Sequence, residues 1–237
     1  MAHVDRSRTR VLRVGTWNVH EGRREGDDGS PGTREVVRLI QEQDLDVLAL
    51  QEVAFNGTGS PMLDAIAGQT ALRHVEGQPL SPAMRPPGSS GIALASRFPL
   101  EDVRRAVLPN PGLVKDDWHS YDKGLMTARL AYGRRTIAVG CVHMVPFHRF
   151  GRRAEEPEFS HIWEQAAKEL GYALLPLTFV GGDLNTPRHD LLDLPLLPSH
   201  RDEVDTILHT PPAPSRPPSS IPTFSDHPCQ VAEFAVA

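Results

Sequence analysis

One pattern restricts the fold of this chain more than any other: short β-branched apolar runs recur along it, and many end in acid, amide or imidazole side chains. Strand-like stretches fall at residues 11–19, 46–51, 91–96, 124–131, 136–144, 177–183, 204–209 and 230–236. Helical periodicity lies between them. Over 157–170, Phe159, Ile162, Trp163, Ala166 and Leu170 share one face, and Gly171 is placed to end the helix as its C′ residue. Residues 33–43 carry Val36, Val37, Leu39 and Ile40 on one side, and Ser60-Pro61 reads as N-cap and first residue of a short third helix. Strand-rich halves separated by helices imply two sheets packed face to face with helices outside. A single doubly wound sheet is the competing architecture.

The proline-rich stretches 78–91 and 210–223 have no regular period and read as loops. The second is expected to be a surface loop inside one fold, since too little chain follows it for another domain. The expected organisation is a tail over 1–10 and a single domain over 11–237. No apolar run reaches the ~18 residues of a membrane span, and the Arg-rich start lacks the apolar stretch of a secretory signal. Cys141 and Cys229 imply no disulfide framework, so reduced thiols in a cytoplasmic protein are expected. The net charge of −5 argues against bulk coating of nucleic acid, but not against a locally positive site for one phosphoester.

The chemistry gathers where strands end. The first strand closes in Thr16-Trp17-Asn18-Val19-His20, the second in Leu50-Gln51-Glu52-Val53, and a later one reaches His143. Gly182-Asp183-Leu184-Asn185-Thr186-Pro187 follows another, and Val204-Asp205-Thr206 and Ser225-Asp226-His227-Pro228 complete the set. Side chains at strand ends converge without interrupting a core. Carboxylates and amides gathered this way suit a hard divalent cation such as magnesium, which prefers oxygen and keeps several waters. Paired-cysteine and HExxH zinc patterns, a GxxxxGK[ST] phosphate loop and a GxSxG elbow are all missing from the sequence.

Five ordered blocks, TWNVH, LQEV, GDLNTP, VDTIL and SDHP, resemble the endonuclease/exonuclease/phosphatase superfamily. SSGIALASRFPL and KGLMTARL are similar to its intervening strands, so the resemblance runs from about Val11 to Val236. It implies a DNase I-like α/β (α+β) fold, a four-layer sandwich of two packed mixed sheets flanked by helices, and Mg²⁺ as cofactor with Mn²⁺ as substitute. Residue by residue, it implies Glu52, Asp226 and Asn18 at the metal. Asp183 and Asn185 handle the nucleophilic water, His227 faces the scissile phosphate, Asp205 orients it, and His143 lies on the phosphate side. His20 departs from an acidic position of some relatives, with phosphate contact, a second metal or a plain strand cap as its open readings. Lys123 is either a basic group near the phosphate or a solvated lysine, and His143 has a satisfied core histidine as its alternative.

Arg149, Arg152 and Arg153, in an aromatic-bearing loop just after His143, are expected to bind substrate by charge and stacking. The expected activity is Mg²⁺-dependent phosphoester hydrolysis, with a phosphodiesterase or nuclease ahead of an enzyme for a small-molecule or lipid phosphoester. The short stretch between Pro187 and Val204 leaves little surface for gripping a duplex. A non-catalytic binding module of the same fold is the alternative from another class. No obligate protein partner is evident.

Overall fold

The computed structural model describes residues 10–23, 32–84 and 87–236. The expected N-terminal tail lies outside the described residues except for Arg10, which opens the first strand. In chain order the elements are β1 (Arg10–Asn18), α1 (Thr33–Gln43), β2 (Val47–Phe55), α2 (Pro61–Gln69), β3 (His74–Pro82), β4 (Ser89–Ser96), β5 (Glu101–Val107), β6 (Val114–Lys115) and β7 (Trp118–His119). β8 (Gly124–Tyr132), β9 (Arg135–His143), α3 (Ser160–Gly171), β10 (Thr178–Asp183), β11 (Leu197–Pro198), β12 (Asp205–His209), β13 (Ser219–Ile221) and β14 (Cys229–Val236) follow.

Two six-stranded sheets result, ordered β13-β14-β1-β2-β4-β3 and β11-β12-β10-β9-β8-β5. They are built alike at the centre. β1 runs parallel to β2 and β10 parallel to β9, while β14 and β12 return antiparallel beside β1 and β10. The C-terminal ends of β1 and β10 therefore lie beside the starts of β14 and β12. That is the geometric reason distant motifs can meet at one rim.

Three apolar layers hold the sandwich. Leu12, Val14, Ile92, Met126, Val139, Phe179 and Phe234 pack between the sheets. Val36, Ile40, Leu48, Leu63 and Ile66 join the first sheet to α1 and α2, and Val142, Ile162, Trp163, Ala166 and Val180 join the second to α3. This is the expected four-layer arrangement of two mixed sheets with helices outside. The sheets approach closely at Gly181, where an added Cβ would lie 2.7 Å from that of Ala49 and 2.8 Å from that of Thr16. Only glycine fits there.

Ser60 caps α2, its Oγ accepting from the Leu63 amide at 3.5 Å, with Pro61 in the first turn. Three expectations need correction. The stretch 78–91 is not one loop: β3 runs to Pro82 and β4 begins at Ser89. β3 contains Pro79 and Pro82 because it is an edge strand, where a missing N–H is tolerated. The stretch 210–223 likewise contains β13, paired to β14. Gly171 does not stop its helix. The chain stays helical through Tyr172, and Ala173 and Leu174 close the end by donating to the Leu170 and Gly171 carbonyls.

Candidate active site

Glu52 reaches the rim through a break in its strand. The β2–β4 register shifts between Gln51 and Val53, and Glu52 takes a left-handed φ of 54°. Gln51 and Val53 stay buried, Gln51 donating to Thr16 Oγ1 at 3.2 Å and Cys141 Sγ at 3.2 Å. A bulge of this kind re-aims a side chain, and a left-handed non-glycine residue there costs about 1–3 kcal/mol.

Asp183 ends β10 and is buried. Its Oδ2 accepts from Asn18 Nδ2 at 3.0 Å and its Oδ1 from the Asn185 amide at 2.9 Å. His143 Nε2 lies 3.5 Å from Asp183 Oδ2 and His227 Nε2 4.0 Å from it. Burial raises the Asp183 carboxyl above the usual carboxylate range, against the opposing pull of the His227 charge and the Asn18 hydrogen bond. Asn185 is left-handed at φ 53°, and its Nδ2 donates to the Met144 carbonyl at 2.9 Å, which fixes its amide plane across the β9 end.

Asp205 pairs with Asp183 in the β10–β12 ladder, and its Oδ2 lies 2.7 Å from His227 Nδ1. Burial pulls the His227 imidazole down, but the Asp205 hydrogen bond and the charges of Asp183, Asp205 and Asp226 outweigh it and push it up to about 9. The pair therefore holds His227 as an imidazolium at neutral pH. Ser225 anchors this loop to β1: its Oγ donates to the Asn18 carbonyl at 2.8 Å and accepts from Trp17 Nε1 at 3.0 Å.

His20, also left-handed at φ 45°, places Nδ1 3.5 Å from Glu52 Oε2 and 3.7 Å from Asp226 Oδ1. Two carboxylates thus approach one nitrogen. Glu52, Lys123, His143, Arg149, Asp183, Asn185 and His227 line a common cleft.

The sequence model of the Endonuclease/Exonuclease/phosphatase family matches residues 15–227, a span running from β1 to His227. The chain belongs to that family. It is accordingly a hydrolase of phosphoric esters. A search of curated proteins by sequence finds no match. Among solved structures, an endonuclease/exonuclease/phosphatase from Beutenbergia cavernae superposes with a TM-score of 0.70 at 17% identity, over 96% of this chain and 72% of that one. The human Nocturnin catalytic domain with bound sulfate follows at 0.64 and 17%, over 96% and 95%. Sphingomyelinase C from Streptomyces griseocarneus gives 0.60 and 19%, over 95% and 99%.

Within this family member, Lys123 is the residue that sequence reasoning left open and the structure brings to the centre. Its Nζ lies 3.0 Å from His143 Nε2 and 3.4 Å from Nδ1. Burial, then the Lys123 charge, holds His143 well below the usual imidazole range, so it stands neutral. The three arginines separate. Arg149 lines the cleft, with Nη2 3.9 Å from Asp226 Oδ2. Arg152 is bound to Glu156 and Glu158 and lies over the Phe159 ring, and Arg153 is exposed; neither lines the cleft.

The donors fit a divalent ion. Glu52 and Asp226 are partly open carboxylates, as a cation that keeps waters requires. Donor atoms of Asp183, Asp205 and His227 lie within 4.8 Å of one another and can also hold a metal ion. In that cluster the 2.7 Å Asp205–His227 hydrogen bond occupies lone pairs that a bound cation would need.

Proposed function

We propose that residues 11–237 form one catalytic domain that hydrolyses phosphodiesters with Mg²⁺, or Mn²⁺ in its place. Glu52 and Asp226 hold the ion, with Asn18 beside them. Bound there, a divalent cation supplies charge neutralisation for the phosphoryl and leaving oxygens.

The rest is done by side chains. Asp183, raised by burial, accepts the proton of the attacking water, and Asn185 orients that water. His227, kept protonated by Asp205, donates to a phosphoryl oxygen. Neutral His143 and Lys123 face the same phosphate, and His20 and Arg149 steady substrate from the Asp226 side. Positioning and charge stabilisation of this kind carry phosphoryl transfer. The observation that carries the reading is the common cleft of Glu52, His143, Asp183, Asn185 and His227.

Nucleic acid stands slightly ahead as substrate. The second reading, a small-molecule or lipid phosphoester, is favoured by the net charge of −5 and by the slight structure between Pro187 and Asp205, one short 3-10 turn and the two-residue β11. The buried free thiols Cys141 and Cys229 accord with a reducing, cytoplasmic setting. Among the described residues no helix is long and apolar enough to cross a membrane.

A substrate panel tests the assignment: supercoiled plasmid, single-stranded DNA, RNA, an abasic duplex, phosphomonoesters, inositol phosphates and sphingomyelin. Plasmid nicking at moderate salt is the expected result. Release of phosphate from monoesters alone would make the protein a phosphatase instead.

A further inference from the structure

The cleft has a second wall that the hydrolytic chemistry does not use. Trp118, Tyr121 and Phe150 line the cleft together with the charged groups. Trp118 is 57% exposed and Tyr121 45%, although large aromatic side chains carry the greatest gain from burial. We propose that these three rings form a stacking wall that seats a planar ring carried by the phosphoester, so that this enzyme prefers substrates with a nucleobase or aryl group next to the scissile phosphate. The inference rests on the phosphoester-hydrolase reading of the same cleft.

The wall is held in place before any ligand arrives. Trp118 sits on the β6–β7 hairpin, where Lys115 pairs with Trp118 and Val114 with His119. The hairpin base is tied at Ser120. Its Oγ donates to Asn110 Oδ1 at 2.6 Å and accepts from the Leu113 amide at 2.8 Å, while Asn110 Nδ2 donates to the Ser120 carbonyl at 3.1 Å and Asp122 at 3.0 Å. Phe150 comes from a separate segment, at the end of a 3-10 turn that follows the β9 strand, next to Arg149. Pre-ordered rings lose little freedom on binding, and stacking on such a platform is worth about 1–3 kcal/mol per ring.

Charge limits what the hairpin itself can contribute. Its exposed tip carries Asp116 and Asp117 against Lys115, so the hairpin adds a ring contact beside the scissile phosphate rather than a track for further phosphates or anionic headgroups.

Competitive inhibition of bis-p-nitrophenyl phosphate turnover separates the possibilities, using thymidine 5′-phosphate, phenyl phosphate and methyl phosphate as inhibitors. The wall predicts that Trp118→Ala raises the inhibition constants of the two ring-bearing compounds about tenfold and leaves that of methyl phosphate in place. Trp118→Phe restores them, and Tyr121→Ala repeats the effect as an independent variant. Tighter binding of thymidine 5′-phosphate than of phenyl phosphate identifies a nucleobase as the ring, and equal binding a simple aryl group. Turnover with all three constants unchanged, or shifted together, overturns the wall while leaving the hydrolase intact. Loss of binding to phosphatidylcholine vesicles in Trp118→Ala, with inhibition unaltered, overturns it in favour of a membrane contact. Absence of turnover toward any phosphoester would instead strike the hydrolase reading itself.

Discussion

Asp205 and His227, 22 residues apart in sequence, meet at 2.7 Å where β12 begins and β14 is about to start. The contact exists because β12 and β14 both return to the rim at which β10 and β1 end. It couples a buried acid to an imidazole held protonated at neutral pH.

Asp205→Asn keeps the shape of the side chain and removes its charge. The kcat for bis-p-nitrophenyl phosphate should fall about 100-fold or more with KM little changed, because His227 loses the group that fixes its protonation and ring orientation. Steady-state kinetics check this. A variant as active as wild type would remove Asp205 from the mechanism.

Glu52 combines strain with function. Glu52→Gly relieves a left-handed φ of 54° and should raise stability by about 1 kcal/mol, read from urea midpoints. The same change should raise the Mg²⁺ concentration needed for half-maximal activity by more than about tenfold, since a carboxylate ligand is lost. Gain in stability without loss of metal response would argue against Glu52 as a ligand.

Asn18→Ala withdraws a donor from a buried carboxylate. With Asp183 short of the 3.0 Å bond, unfolding free energy should drop by about 1–3 kcal/mol. Urea denaturation measures it, and an unchanged midpoint would mean that Asp183 finds another donor.

Glu21, next to His20, supplies a further pH dependence. Its side chain is buried, with Oε1 accepting from the Met84 amide at 2.8 Å and Oε2 3.7 Å from Arg23 Nε. Burial raises its carboxyl above the usual range, and the Met84 bond and Arg23 only partly offset this. A raised carboxyl favours folding most below its unfolded pKa, and that contribution disappears as pH rises through the folded value. Glu21→Gln should therefore gain on wild type as pH goes from about 4 to about 7. Urea midpoints across that range decide it, and a variant that loses ground on wild type as pH rises would contradict the burial argument.

The strands that could be read from the sequence are the interior ones. β1, β2, β4, β8, β9, β10, β12 and β14 carry largely apolar runs because most of both faces is covered. All four edge strands, β3, β5, β11 and β13, escaped notice. Edges are short, polar or proline-bearing, as Glu101-Asp102-Val103-Arg104-Arg105 and the Pro79–Pro82 stretch illustrate, so they lack the pattern that marks a strand. The rim residues were legible for the complementary reason. A carboxylate or imidazole directly after an apolar run must find polar partners where the strand ends. What the sequence did not disclose is pairing across distance. Ser225 bridging to the Asn18 carbonyl, Lys123 against His143, and the parting of Arg149 from Arg152 and Arg153 all depend on loop geometry that local pattern does not encode.

The central claim is that Glu52, Asp183 and Asp226 act together, around a divalent cation, on one phosphoester. Hydrolysis of bis-p-nitrophenyl phosphate tests it most directly, with Mg²⁺ or Mn²⁺, with EDTA, and with Asp183→Asn in parallel. Turnover with metal, none in EDTA, recovery when Mg²⁺ is returned, and a variant without measurable activity are the expected results. Turnover that survives EDTA, or an Asp183→Asn variant as fast as wild type, would contradict it.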